Sequence, residues 1–158
     1  MPTEKTWQIH SQSSVDTEAY GEAMGRALKG GEVLEFISDL GGGKTTFVRG
    51  LARGAGSSDR VASPTFTISR EYRAPKFTII HVDFYRLDEA GIVAEELREY
   101  MGNTAYVVVV EWGEIAKNVL PQHRLTVQIH HVAQQSEARD ITCSAPPELG
   151  YLQTGVQA

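Results

Sequence analysis

Ser38-Asp39-Leu40-Gly41-Gly42-Gly43-Lys44-Thr45-Thr46 is the stretch that decides the fold of this chain. A largely apolar run, 33–37, comes directly before it, and the segment 47–52 follows it. The sequence therefore predicts a strand, a glycine-rich loop and a helix in succession. Glycines let consecutive backbone amides point at an anion, and the N-terminus of the helix adds a positive dipole. This arrangement is typical of a phosphate-binding loop.

Two side chains of this loop carry the predicted chemistry. Lys44 would reach the β- and γ-phosphates of a nucleotide, and Thr45 would offer its hydroxyl to a nucleotide-bound Mg²⁺, which prefers hard oxygen ligands. Ser38 stands where the usual pattern G-x-x-x-x-G-K-[ST] has its first glycine, and a positive φ there would carry a steric cost. A glycine-rich turn without a ligand is the alternative, and it agrees less well with the strand, the motif and the helix together.

Length and composition indicate one compact domain. The chain has 158 residues, of which 41% are hydrophobic, and this is enough for a single core. We expect a domain over 1–144 and a loose tail over 145–158. No apolar run approaches the ~20 residues that span a bilayer, and the polar first residues do not resemble a secretory signal, so we expect a cytoplasmic protein. The single cysteine, Cys143, is predicted to be a small core residue.

Charge is unevenly distributed along the chain. Residues 44–86 hold 8 Lys or Arg against 3 Asp or Glu, although the whole chain has a net charge of −5. A basic middle segment in an acidic chain favours a polyphosphate ligand, or a local contact with an acidic partner, over independent nucleic-acid binding. Arg49 and Arg53 are explained equally well as the solvated face of a helix.

The remaining pattern predicts an α/β chain around the loop. Apolar periodicity predicts an edge strand at 6–10, helices at 15–28 and 88–101, a buried strand at 105–110, and further strands at 125–129 and 140–143. Segments 67–72 and 77–82 predict an antiparallel hairpin. The expected fold is a single-domain, P-loop NTPase-like, three-layer α/β fold whose largely parallel central sheet carries an antiparallel hairpin insertion.

Acidic residues follow two of the hydrophobic strands. Asp83 ends the second hairpin strand, and Glu111 ends the buried run before it meets Trp112. Ligands collect at the carboxyl ends of strands in open α/β sheets, and a P-loop enzyme needs a carboxylate there for Mg²⁺ or its waters. His81 is better explained as a hydrogen-bonded core residue than as a general base. Packing and a place near the nucleotide explain Trp112 equally well.

The expected ligand is ATP with Mg²⁺. The sequence contains no Asn-Lys-x-Asp motif of the kind that recognises guanine, so adenine is favoured.

Five motifs, in this order and spacing, resemble those of the bacterial TsaE (YjeE) family. They are D-L-G-G-G-K-T-T (39–46), S-P-T-F-T-I (63–68), H-V-D-F-Y-R-L (81–87), V-E-W (110–112) and L-P (120–121). The family consists of small P-loop ATPases of tRNA threonylcarbamoyladenosine biosynthesis. The resemblance implies an ATPase that acts with the TsaD–TsaB pair, which modifies the adenosine beside the anticodon, so that tRNA is contacted only through the complex.

The resemblance also implies a role for individual residues. Thr45 and Glu111 would hold Mg²⁺, and Asp83 would be the acid that hydrolysis needs. Thr65 would lie in a switch-like segment, Trp112 would lie near the nucleotide, and Arg139 would approach the nucleotide as well. The residues that would bind the nucleotide phosphates are Asp39, Leu40, Gly41, Gly42, Gly43, Lys44, Thr45 and Thr46.

Two other functions remain open from the sequence. A small-molecule kinase of this size should carry an arginine-rich lid, for which the segment 70–73 is a weak candidate. A nucleotide-gated binding module without hydrolysis would use Asp83 and Glu111 only to support the fold. The sequence offers no clear arginine finger, so we expect a monomer that hydrolyses ATP slowly until a partner contributes one.

Overall fold

The computed structural model describes residues 4–38, 43–62, 69–83, 91–111 and 120–153, and for 91–94 it describes the backbone alone. A seven-stranded mixed β-sheet organises these residues. The strands are β1 (Lys5–Ser11), β2 (Val33–Ser38), β3 (Ser69–Arg73), β4 (Thr78–Asp83), β5 (Tyr106–Glu111), β6 (Leu125–Val132) and β7 (Gln135–Ala145). The helices are α1 (Ser14–Ala27), α2 (Lys44–Ala55), α3 (Gly91–Tyr100) and a 3₁₀-helix (Pro147–Leu152).

The sheet has the order β1-β7-β6-β2-β5-β4-β3. Strand β2 pairs in parallel with both β5 and β6, and β5 pairs in parallel with β4. Strand β3 runs antiparallel to β4, and β7 runs antiparallel to both β6 and β1. The predicted fold class is confirmed, and the predicted hairpin is the pair β3–β4. The hairpin is continuous with the sheet, because β4 belongs to its parallel centre.

Side chains that alternate along the central strands separate two cores. Val107 and Val109 of β5 face α1 and α2, whereas Val108 and Val110 face Leu97 of α3. The sheet is therefore the middle of three layers. Cys143 lies fully buried in the first core, as predicted, and burial raises the pKa of its thiol to about 12.

No helix in the described ranges is long and apolar enough to cross a membrane.

Helices α1 and α2 meet backbone to backbone at four glycines. These are Gly21 and Gly25 of α1 and Gly50 and Gly54 of α2. A Cβ atom on Gly50 would lie 2.0 Å from the carbonyl oxygen of Glu18, and one on Gly21 would lie 2.3 Å from that of Phe47. The distance between packed helices depends on the side chains at their contact, so only glycine permits this approach. The contact fixes the position of α2, the helix that follows the loop.

The C-terminal segment packs against the domain, so the prediction of a loose tail from residue 145 is wrong for its described part. Ala145 is still paired in β7, and Leu149 and Leu152 of the 3₁₀-helix are buried. The Tyr151 hydroxyl donates to Glu32 Oε2 at 2.6 Å, and the Glu32 carboxylate also accepts from the amides of Lys29 and Gly30. The two leucines bury apolar surface that the composition of the segment, with its two prolines, does not reveal. The domain therefore extends at least to residue 153, and 154–158 lie outside the described residues.

We predict that Gly50→Ala destabilises the protein by about 3 kcal/mol, because the added methyl group forces α1 and α2 apart. At an exposed helix position the same change would be stabilising by up to about 1 kcal/mol. Urea unfolding, followed by circular dichroism, measures the free energy of unfolding of Gly50→Ala and of the wild type. Val15→Ala, at a site on α1 that is 75% exposed, serves as the control and should change little. Unchanged or increased stability of Gly50→Ala would contradict the contact.

Candidate functional site

The N-terminus of α2 lies where the sequence places the phosphate-binding loop. Gly43 is its N-cap, with φ +101° and ψ 13°, a left-handed conformation that disfavours residues with a Cβ atom. Gly43 contributes no side-chain cap to the helix, whereas Ser13, the N-cap of α1, accepts a hydrogen bond from the Asp16 amide. The N-terminus of α2 therefore has no side-chain cap. It carries the positive end of the helix dipole and suits an anion.

Sheet register brings the two predicted acids to the same edge as this helix. Strand β5 lies beside β2 with Glu111 opposite Phe36, and β4 lies beside β5 with Asp83 opposite Glu111. Because all three strands are parallel, their carboxyl ends meet at one edge of the sheet. The structure therefore places Asp83 beside Glu111 at the edge of the sheet where β2 leads toward α2.

Lys44 and Glu111 form a buried ion pair. The Lys44 Nζ atom lies 3.5 Å from Glu111 Oε1, and the two residues are 8% and 2% exposed. A buried charge is costly unless it is paired and hydrogen-bonded, so each side chain helps to offset the cost of burying the other. The sequence predicted both residues but not their contact.

His81 and Tyr72 extend this pair into the core. His81 Nε2 donates to Glu111 Oε2 at 2.6 Å, and His81 Nδ1 lies 2.9 Å from the Tyr72 hydroxyl oxygen. The Tyr72 hydroxyl donates to the carbonyl oxygen of Ala62 at 3.0 Å. The interpretation of His81 as a hydrogen-bonded core residue is confirmed. Tyr72 was missed, although strand alternation places it on the same face of the hairpin as His81.

These contacts determine the charge of Glu111. Burial by itself would raise the pKa of the carboxyl group, but the hydrogen bond from His81 and the nearby charges of His81 and Lys44 outweigh it, and the pKa is lowered. Glu111 is therefore ionised and able to act as a hard oxygen ligand.

A cleft of about 180 Å³ opens beside the start of α2. Its walls include Gly43 and Thr46 on one side and Arg139 of β7 on the other. A Cβ atom on Gly43 would lie 3.7 Å from Arg139 Nε, which shows how closely the Arg139 side chain approaches the N-cap of α2. Arg139 Nη1 donates to the carbonyl oxygens of Ser136 and Ala138 at 2.8 and 2.7 Å. The structure thus places Arg139 beside Gly43 at the start of α2.

A larger cleft, of about 430 Å³, lies at the opposite edge of the sheet. Its lining includes Gln122 and His123, which precede β6, and Glu148, which follows β7. The carboxyl ends of the parallel strands, where Lys44 and Glu111 meet, are at the other edge, so we assign the site to the smaller cleft.

The residues around Lys44 and Glu111 can be compared with the ligands that Mg²⁺ requires. No group of three or more His, Cys, Asp or Glu that could hold a metal ion occurs in the described ranges. Mg²⁺ carried by nucleotide phosphates needs only one or two protein ligands, and a hydroxyl and a carboxylate are the types it prefers. Thr45 in the first turn of α2 and ionised Glu111 fit that requirement.

Several predicted site residues lie outside the described residues. These are Asp39, Leu40, Gly41, Gly42, Thr65 and Trp112.

Comparisons with known proteins agree with one another. The sequence model of the TsaE family, described as threonylcarbamoyl adenosine biosynthesis protein TsaE, matches residues 11–141. The tRNA threonylcarbamoyladenosine biosynthesis protein TsaE of Treponema pallidum is 38% identical over 136 residues, which cover 84% of this chain and 96% of the relative. Its namesake in Bacillus subtilis is 37% identical over 132 residues, covering 82% and 80% of the two chains.

A solved structure is similar over nearly the whole chain. The crystal structure of YdiB from Bacillus subtilis matches with a TM-score of 0.76 and 29% sequence identity. The match covers 94% of this chain and 90% of YdiB.

Proposed function

The chain belongs to the TsaE family, which takes part in tRNA threonylcarbamoyladenosine biosynthesis, and from this premise we propose that it binds ATP with Mg²⁺ and hydrolyses it to drive that pathway. The observation that carries the proposal is the buried pair of Lys44 and Glu111 at the N-terminus of α2. A lysine that leads a glycine-capped helix and faces an acid at the end of the neighbouring strand has the arrangement that phosphoryl transfer uses.

Lys44 would exchange partners when the nucleotide binds. Without an anion its ammonium group faces Glu111 at 3.5 Å. A bound polyphosphate would offer stronger charge-assisted hydrogen bonds, together with the helix dipole and the loop amides. Glu111 would then be released toward the metal, with Thr45 as the second protein ligand.

Mg²⁺, when bound, would neutralise charge on the β- and γ-phosphates. Asp83 lies beside Glu111 in the register of β4 and β5, and we assign to it the orientation of the attacking water. The cleft between α2 and β7 would take the nucleoside, with Arg139 close to the phosphates or ribose. Thr65 and Trp112 keep the roles that the family resemblance implies.

A partner completes the proposed cycle. We assign the TsaD–TsaB pair to this role, with tRNA bound only through the complex, and we place the monomeric chain in the cytoplasm. The sequence supplies the phosphate-side groups without a clear arginine finger, and such a group provided in trans raises P-loop hydrolysis by about 10³–10⁵-fold. The proposed ATPase is therefore slow by itself.

We predict that Lys44→Ala weakens ATP binding by at least about 100-fold, because it removes a buried charge that contacts the phosphates. Isothermal titration calorimetry on the folded variant measures this. Arg49→Ala is a matched control, since it removes a positive charge from the solvent-exposed side of the same helix. Equal affinity of Lys44→Ala and the wild type would show that the loop does not bind nucleotide.

We predict that Asp83→Asn lowers phosphate release from ATP by about 100-fold or more, because oriented acids act mainly in the transition state. ATP affinity should change far less. The assay contains no added phosphoryl acceptor, so release by the wild type also separates an ATPase from a kinase. Parallel losses in affinity and rate would indicate that Asp83 only supports the fold.

We predict that TsaD–TsaB raises the rate of ATP hydrolysis by about 10³-fold and binds the ATP form more tightly than the ADP form. Phosphate release is measured with and without the pair, and its affinity is measured in each nucleotide. Fast hydrolysis by the isolated chain, or equal affinity in ATP and ADP, would contradict the dependence on a partner while leaving the ATPase assignment intact.

A further inference from the structure

Three buried polar side chains form a hydrogen-bonded chain to which the proposed chemistry gives only one role. Tyr72, His81 and Glu111 are 1%, 0% and 2% exposed. They are linked by contacts of 2.9 Å and 2.6 Å, and the Tyr72 hydroxyl donates to the Ala62 carbonyl. Buried polar groups are costly unless they are satisfied, and an apolar set of the same volume would avoid that cost. Of the three, only Glu111 takes part in the proposed chemistry.

The geometry of the chain fixes the orientation of Glu111. His81 holds Oε2, and Oε1 is therefore the oxygen that faces Lys44 Nζ. The imidazole ring is in turn held at both nitrogens, by Glu111 and by Tyr72, so it cannot rotate without losing a hydrogen bond. The orientation of the Glu111 carboxylate therefore depends on the His81 ring, and the orientation of the ring depends on Tyr72.

We propose that His81 and Tyr72 are positioning residues for Glu111, which they hold ready for a metal ion, and that Tyr72 ties this arrangement to the backbone at Ala62. The inference rests on the proposed function, because Glu111 is assigned to Mg²⁺ there. Neither residue touches nucleotide or metal in this proposal. Both act through the carboxylate.

Fixing the carboxylate in advance has a measurable consequence. A ligand that is already oriented loses less conformational freedom when the metal binds. Loss of the groups that orient a metal ligand typically costs about 10–100-fold in metal affinity. The effect should appear in the metal dependence of nucleotide binding and not in nucleotide binding without metal.

The connection to Ala62 adds a second consequence. Ala62 directly precedes residues 63–68, the segment that contains Thr65. Tyr72 is bonded to this point of the backbone and to the ring that orients Glu111. Hydrogen bonds through Tyr72 and His81 thus connect Ala62, the residue before that segment, to Glu111.

The test compares the affinity of the full chain for the ATP analogue AMP-PNP in excess Mg²⁺ and in EDTA, by calorimetry. The metal coupling ratio is the dissociation constant in EDTA divided by that in Mg²⁺. We expect His81→Phe, which keeps a ring but no donor, to lower this ratio by about tenfold or more and to leave the EDTA affinity nearly unchanged. Glu111→Gln should lower the ratio as well.

Conservative variants separate positioning from packing. The side-chain amide of His81→Gln can occupy the place of Nε2 and donate to Glu111, so this variant should keep most of the ratio. Tyr72→Phe should lower the ratio by less than His81→Phe, because the bond from Nε2 remains. Ile80→Val is the control for lost stability, since Ile80 lies on β4 but faces the other core.

A double-mutant cycle tests whether Tyr72 acts through His81. Tyr72→Phe should lower the ratio in the wild type and have no further effect in His81→Phe. If His81→Phe does not fold, His81→Gln and Tyr72→Phe still decide the matter, and an unchanged ratio in Tyr72→Phe would overturn the link.

Other outcomes also reject the proposal. A ratio in His81→Phe equal to that of Ile80→Val, an equal loss in His81→Gln and His81→Phe, or the same loss of affinity with and without Mg²⁺ would each show that His81 only supports the fold. If Glu111→Gln lowers the ratio in these cases, the proposed function stands and only this inference fails. A wild-type ratio of one, or no effect of Glu111→Gln, would instead remove the metal role of Glu111 and this inference with it.

Discussion

The backbone contact between α1 and α2 is the constraint on which the site depends. Each glycine in the contact faces a carbonyl oxygen of the other helix at a distance that leaves no room for a methyl group. Helix α2 is therefore held by α1 along its length and by the sheet beneath it, where Phe47, Val48 and Leu51 are fully buried. A helix fixed in this way presents its N-terminus, and Lys44 with it, at a defined place above the ends of β2 and β5.

Glu111 is the residue at which the elements of the site meet. Lys44 reaches it from α2, and His81 reaches it from β4. Since one carboxylate serves both partners, its position is determined by three separate segments of the chain, and its lowered pKa is the electrostatic result. A bound anion that drew Lys44 away would remove one of the positive charges that lower the pKa of Glu111.

The edges of the sheet also contribute to the site. On one side, the antiparallel strand β3 places Tyr72 against His81. On the other side, β7 returns from β6 and brings Arg139 to the cleft beside Gly43. The parallel centre supplies the acids, and the two antiparallel additions supply the residues around them.

Local sequence determined much of this protein. The glycine-rich stretch, the apolar runs and the acids that end them predicted the loop, the helix α2, the parallel centre of the sheet and the positions of Lys44, Asp83 and Glu111, because each depends on neighbours a few residues away. Two further signals in the sequence concern its packing. The four-residue spacing of Gly21 with Gly25 and of Gly50 with Gly54 marks a close helix contact, and Leu149 and Leu152 mark a packed C-terminal segment.

Only the tertiary structure decided which residues meet. Tyr72, His81 and Glu111 come from three strands, and Arg139 reaches Gly43 across 96 positions of sequence. Such contacts depend on strand order and register, which follow from the burial of both sheet faces at once and not from any local pattern. The sequence thus determined the chemical groups of the site, and the packing of the sheet with its helices determined how those groups are paired.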